Sequence, residues 1–323
     1  MTPFFRILAD GADATASIAD RLIALTVTDE EGIKADKLTL ELDDRDRLIE
    51  IPPAGAVLSL SLGFRGAGLT RMGRFVVEGR AGSGPPDVLT IEAKAADMAG
   101  SIRAPKTRAW RNITLGDIAR TIAGEANLKP VVGEDIAGTS YTMVAQTAES
   151  DLHLLTRLAG VLDATAKPAD GRLVIVRRGS ATAADGAPIA PVRILRDRLQ
   201  RYDWDLGERG KYKSVTAEWS EPSTATLHKV TVGSGDPERR LRHPFGSQDE
   251  AQRAARAALD RAERGNTGVS GELSGFWPGL FAGGLVAFPD LRPQLGGPFQ
   301  LTSVRHALKG ALTTSFTSEK APQ

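Results

Sequence analysis

Four histidines, a cluster of aspartates, two groups of arginines and three glycine-rich stretches are the residues whose types could do chemistry. The histidines are His153, His228, His243 and His306. No two stand at metal-ligand spacing and no H-E-x-x-H occurs, so a zinc site on a helix is not encoded. His153 reads as a surface or packing residue, and His306 as a strand-pair or interface residue. Gly268-Val269-Ser270-Gly271 lacks the G-x-S-x-G spacing of a nucleophile elbow. Gly66-Ala67-Gly68 and Gly82-Ser83-Gly84 do not continue as phosphate-binding patterns, and Pro85-Pro86 bars a helix after the second. Both read as loops. Asp43, Asp44 and Asp46 are interleaved with Arg45 and Arg47, which makes a solvated turn rather than a metal site or an acid–base pair. Arg193, Arg196, Arg198 and Arg201 form one basic patch, and Arg239, Arg240 and Arg242 another. Aromatic residues are 5% of the chain and do not interleave with these arginines in sequence, so a subunit contact is favoured over a single-strand nucleic-acid platform. No catalytic, cofactor-binding or metal-binding residue is assigned, no cofactor is implied, and the chain does not read as an enzyme.

Bulk properties agree. The 323 residues exceed one small core and divide into two or three domains. Apolar content of 41% and charged content of 25% are those of a globular protein. Net charge is +1, which gives no global attraction for nucleic acid or an acidic membrane. The absence of cysteine removes disulfides, thiolate metal sites and thiol nucleophiles together, and fits folding in a reducing cytosol. No apolar run approaches the ~20 residues that span a bilayer. The start of the chain lacks the basic and long apolar regions of a signal peptide.

Positioning elements follow from periodicity. Lys37 to Leu42 and Val57 to Leu62 alternate apolar and polar, as half-buried strands do. With Phe4–Leu8, Gly73–Gly79 and Asp87–Ala93 they make the first ~100 residues one antiparallel β-domain. The character then changes. Thr114 and Asp117 form a capping box before Leu115, Ile118, Ala119 and Ile122, and Pro130 ends that helix. From Thr147 to Gly179 the chain reads helix, strand, turn, strand. Ser150 caps the helix, Leu152, Leu155, Leu158, Ala159 and Leu162 line one face, and Ala169-Asp170-Gly171 turns the hairpin into Leu173–Val176. Ser180–Pro191 reads as a linker. Strands resume at Lys213–Trp219 and Thr226–Val232, with a turn at Glu221-Pro222-Ser223. A helix capped by Ser247 and Glu250 and stopped by Gly265 follows, with an alanine-rich face.

A repeat links the two β-rich parts. Ala54–Leu60 matches Ala282–Phe288, Gly73–Glu78 matches Gly297–Thr302, and Leu40–Leu42 falls where Gly271–Leu273 does. Two copies of one small closed barrel would account for it.

The helix pattern E-S-D-x-x-x-L-x-R-L-A and the hairpin G-x-L-x-x-x-x-x-G resemble the late control gene D family of phage tail proteins. The residues concerned are Glu149, Ser150, Asp151, Leu155, Arg157, Leu158, Ala159, Gly171, Leu173 and Gly179. The resemblance implies a baseplate hub of a contractile tail, with the hub fold that begins VgrG spike proteins. It implies a β-rich α+β chain: two similar antiparallel β-barrel domains joined by an α/β domain, with a helical insertion in the second barrel. The boundaries are 1–100, 101–191, 192–235 with 269–320, and 236–268 for the insertion. A homotrimeric ring would match a sixfold tail tube to a threefold spike around a central channel. Partners would be the tail spike, tail tube and other baseplate proteins, with DNA or a tape-measure protein in the channel and no membrane insertion by the chain itself. The place would be the tail tip of a virion or tail-like particle assembled in the bacterial cytoplasm. The alternative is a peptidoglycan-binding or wall-degrading tail protein, because Trp110–Pro130 resembles a LysM unit.

Overall fold

The computed structural model describes residues 2–32, 34–96, 101–169, 171–180, 190–207, 212–221, 226–264 and 266–321. The turn residues Asp170, Pro222 and Ser223, the helix stop Gly265 and most of the 180–191 linker lie outside them.

The first part is β1 (Pro3–Ala9), β2 (Ala12–Asp13), α1 (Thr15–Ile18), β3 (Leu22–Glu30), β4 (Lys37–Asp43), β5 (Val57–Phe64), β6 (Gly68–Ser83) and β7 (Val88–Ala95). Alternation decides the buried face. Leu38, Leu40 and Leu42 of β4 and Leu58, Leu60 and Leu62 of β5 all turn inward against Phe5, Ile7, Phe75 and Ile91. Each such leucine contributes roughly 1.5–3 kcal/mol of burial. β6 is far longer than the Gly73–Gly79 core of its pattern predicts, because it pairs β5 with its first half and β7 with its second.

Next come β8 (Pro105–Thr114), α2 (Leu115–Glu125), β9 (Lys129–Val132), α3 (Glu134–Ala137), β10 (Ser140–Ser150), α4 (Asp151–Val161), β11 (Ala164–Ala169) and β12 (Arg172–Arg177). β8 pairs β10, and β11–β12–β9 form a second small sheet. α2 and α4 bury Ile118, Ile122, Leu152 and Leu155 in a core of their own. Periodicity does not announce β8 and β10, since most of their side chains are exposed and only Trp110, Tyr141, Val144 and Gln146 are buried.

The last part is β13 (Val192–Arg193), β14 (Leu199–Gly207), β15 (Ser214–Glu221), β16 (Thr226–Gly233), β17 (Glu238–Arg240), α5 (Gln248–Arg264), β18 (Asn266–Leu273), β19 (Leu285–Ala287), β20 (Pro298–Lys309) and β21 (Ala311–Lys320). β15 and β16 do not join the strands around them. With β17 they form a separate sheet, and α5 lays Ala251, Ala255, Ala258 and Leu259 on it. β15 and β16, expected in the 192–235 part of the second barrel, thus pack with α5 of the expected 236–268 insertion.

One large sheet unites the first and last parts, in the order β14-β18-β21-β20-β3-β4-β7-β6-β5-β1-β2, with β19 on β20 and β13 on β19. Its two halves repeat. β3-β4-β7-β6-β5-β1 has the same pairing order as β14-β18-β21-β20-β19-β13. Gly55 N donates to Val77 O and Val77 N to Ala56 O, and likewise Gly283 N to Leu301 O and Leu301 N to Gly284 O. Register shifts also correspond, Leu22/Ala24 with Leu199/Arg201 and Val77/Gly79 with Leu301/Ser303. The outermost pairs differ, β1 lying antiparallel to β5 and β13 parallel to β19. The halves join where β20 pairs β3, from Ser303↔Glu30 to Leu308↔Leu25.

Candidate functional site

The motif that opens α4 is an ionic clamp. Ser150 is the cap: its Oγ accepts from His153 N at 3.2 Å. Asp151, 1% exposed, accepts from Lys106 Nζ at 2.5 Å and from the Arg108 guanidinium at 2.7 Å. Gln146 Nε2 donates to it at 2.8 Å. Glu125 of α2 shares both cations at 2.6 and 2.7 Å. Arg108 also lies over the Trp110 ring at 4.3 Å. Glu149 accepts from Arg157 at 2.7 Å and from His153 Nδ1 at 3.0 Å. Arg157, Lys106 and Arg108 hold the Glu149 and Glu125 carboxyls below their usual range, the hydrogen bonds to these cations being the main cause. Every charged residue of the motif is spent on fastening α4 to β8, β10 and α2.

A second polar centre joins the large sheet to the β11–β12 hairpin. Lys167 Nζ, 12% exposed, reaches Asp29 at 2.5 Å, Asp36 at 2.7 Å and Glu30 O at 2.6 Å. Thr165 Oγ1 and Gln300 Nε2 donate to Glu31 at 2.6 and 2.7 Å, and Gly179 N donates to Gln300 Oε1 at 2.6 Å. Burial, with the Asp29 charge, pushes the Asp36 carboxyl up to about 6. Burial also raises Glu31, against the pull of Arg178. Burial opposes charge on Lys167, yet Asp29 and Asp36 together hold it above the usual lysine value.

The other sequence candidates disperse. His306 is 2% exposed, with Nδ1 3.0 Å from Thr314 Oγ1 and its ring edge-on to Phe276 at 5.1 Å. Burial pushes it down to about 4. It is a strand-pair residue, opposite Val27. His228 stacks on Trp219 at 4.6 Å. Asp46 of the acidic turn is paired to Arg21 through both carboxylate oxygens at 2.6 Å. Among the described residues no group of three or more potential metal ligands comes together. The arginine patch differs from its sequence reading. Arg196 lies over Tyr202 at 5.7 Å and Arg292 over Trp204 at 5.1 Å, so aromatics do interleave with the cations in space. Asp197, Asp203 and Asp290 lie among them, with Arg198 and Arg201 paired to the first two at 3.8 and 3.4 Å and Arg196 N held by the third. Mixed charge with Arg, Tyr and Trp is interface composition rather than a phosphate track.

The LysM-like stretch Trp110–Pro130 runs from β8 through α2 into β9, so the order up to β10 is β–α–β–α–β, with β8 and β10 paired. Leu115 N donates to Thr139 O at 2.9 Å, and a Cβ on Gly116 would sit 3.2 Å from Ala137 O.

What sequence reasoning missed is backbone. Among the described residues, the outer edge of β14 and the side of β6 from Gly79 to Ser83 that faces away from β7 have no ladder partner. Trp204 and Leu206 on β14 are each 38% exposed. The signal was present in the pairing order rather than in any motif.

The buried ionic groups hold elements of the chain together, and two strand edges lack a ladder partner among the described residues. Residues 69–311 match the family of phage tail baseplate hub proteins. The chain belongs to that family and is a structural tail hub protein, a component of phage tails or tail-like particles. It is 32% identical to a probable baseplate hub protein of Escherichia phage 186, over 82% of this chain and 79% of that protein. It is 36% identical to the probable baseplate hub protein of Escherichia phage P2, over 68% of this chain and 57% of that one. In fold it is similar to the 43 kDa tail protein of prophage MuSo2 from Shewanella oneidensis, with a TM-score of 0.73 at 16% identity over 98% of both chains.

Proposed function

We propose that three copies of this chain form a ring around a central channel, and that the ring adapts a sixfold tail tube to a threefold spike. The observation that carries this reading is the repeat of pairing order across the large sheet. Two similar units per chain give six around a ring of three, which is what a threefold object needs to meet a sixfold one. Each half is taken as a small barrel, the first within residues 1–100 and the second within 190–207 and 266–320. Residues 101–180 are the α/β domain between them. Residues 212–264 are an insertion that rests on that domain, as Arg261 donating to Gly160 O at 2.6 Å supports.

The role is non-catalytic. Asp151 is held by Lys106 and Arg108, Lys167 is held by Asp29 and Asp36, and the curated relatives are named as hub proteins. Spike, tube and other baseplate proteins are the partners, and DNA or a tape-measure protein is the traffic through the channel. Light scattering on the purified chain, with particle images of the same fraction, tests this. Three times the 34.3 kDa chain mass and a six-lobed ring are expected. A persistent monomer in the presence of spike and tube proteins would overturn it.

A further inference from the structure

The chain contains one complete junction between repeats, and it lacks the partner for a second. Within the chain, β20 covers the edge of β3, with His306 opposite Val27 and Ala307 opposite Thr26. The strand equivalent to β3 is β14, and the strand equivalent to β20 is β6. The correspondence runs to single residues. Val27 pairs Leu38 of β4, as Trp204 pairs Val269 of β18. Gly79 follows the register shift on β6 as Ser303 does on β20. Among the described residues, the outer edge of β14 and the second half of β6 are also without a ladder partner.

We infer that β14 of one copy adds antiparallel to Gly79–Ser83 of β6 in the next copy, with Trp204 opposite Gly82 and Asp203 opposite Ser83. The inference rests on the ring reading above and gives that ring its contact. A head-to-tail contact joins two different surfaces and closes when the rotation allows. Here both surfaces exist on one chain, Gly79–Ser83 and Asp203–Gly207 with five ladder positions each, in the register that β20 and β3 already display. The side chains suit the pairing. Ala81, Gly82 and Ser83 carry small side chains or none, a Cβ on Gly82 would meet nothing nearer than Val88 O at 3.9 Å, and an aromatic side chain across from glycine covers bare backbone in a ladder. Val27 is 3% exposed beneath β20, whereas its equivalent Trp204 is 38% exposed. Trp204 and Leu206 are thus the residues that a neighbouring strand would cover. Without such a neighbour, β14 would be an open nine-residue edge, an aggregation liability.

The chain has no cysteine, so the contact is testable by cross-linking. Residues directly opposite in a ladder lie close enough for a disulfide. A chain carrying Ser83→Cys and Asp203→Cys, treated with a mild oxidant, should give covalent trimers that a reductant dissolves. Each single variant should give none. Ser83→Cys with Asp205→Cys, two residues out of register, should cross-link at least tenfold more slowly. Trimeric particles that never cross-link at Ser83 and Asp203 overturn the strand pairing and leave the ring standing. Equal rates for both double variants overturn the register. A chain that stays at 34.3 kDa and never cross-links overturns this inference and the ring together.

Discussion

Replacing His306 with Gln should make the seam between the two halves of the sheet resist acid. The imidazole is 2% exposed, and its Nδ1 lies 3.0 Å from Thr314 Oγ1. Burial pushes its pKa from 6.5 down to about 4. A folded state that refuses a proton the unfolded state accepts loses stability as pH falls from 6.5 toward 4. At 1.36 kcal/mol per pKa unit the full loss is about 3 kcal/mol, of which about 2 kcal/mol is gone by pH 5. Glutamine is of similar length, keeps a hydrogen bond to Thr314 and cannot titrate. At pH 7 the variant should lie within about 1 kcal/mol of the wild type. Between pH 7 and pH 5 the difference should then move by about 2 kcal/mol in the variant's favour. Native-state hydrogen exchange resolved over β20 and β3 reads this locally, which matters in a chain with four cores that need not unfold together. A difference that stays flat within about 0.5 kcal/mol would refute the reasoning.

Asp36→Asn should show the opposite slope. The Asp36 carboxyl is raised from 3.8 to about 6, so its contribution is present below 3.8 and is lost as pH rises through 6. Acidifying from pH 7 to 5 should favour the wild type over this variant by about 1 kcal/mol, read by exchange in the β11–β12 hairpin. Asp151→Ala should cost about 3 kcal/mol and loosen α4 against β8, because two cations lose a buried partner while retaining Glu125. Urea unfolding followed by exchange in α4 checks it. Gly233→Ala should destabilise the α5 unit by at least about 2 kcal/mol, since the residue has φ +81° and its Cβ would fall 2.3 Å from Lys213 O. A melt of that variant with an unchanged transition in α5 would count against the packing described.

Local signals in the sequence carried local structure well. Ser150, Thr114 and Ser247 each cap the helix they precede, with Oγ accepting from His153 N, Asp117 N and Glu250 N. The alternation in β4 and β5 and the alanine face of α5 are also where periodicity puts them. Asp151 was legible as a first-turn acid but not as the anchor for Lys106 and Arg108, which lie 45 and 43 residues upstream. Nothing in the spacing of a single element reports a partner that distant. β8 and β10 were hidden because the inward residues that would mark them are few. The assignment of β15 and β16 failed for a related reason. An alternating strand advertises that it has a buried face, but not which core receives it.

The pairing of β20 with β3 has a consequence for synthesis. Ser303 and Glu30 are 273 residues apart, yet they sit side by side. While the ribosome is still making the middle of the chain, β3 already exists with its edge bare. Long-range strand pairing of this kind is slow and leaves nascent chains prone to wrong partners. Leu308 and Leu312 add a further dependence, because they complete the core around Leu25, Leu40 and Leu60. A truncated translation product would carry an unfinished first half, with an open strand and a gap beneath it. Such fragments are poor building blocks and good substrates for proteases, so the topology itself screens which chains are fit to enter a particle.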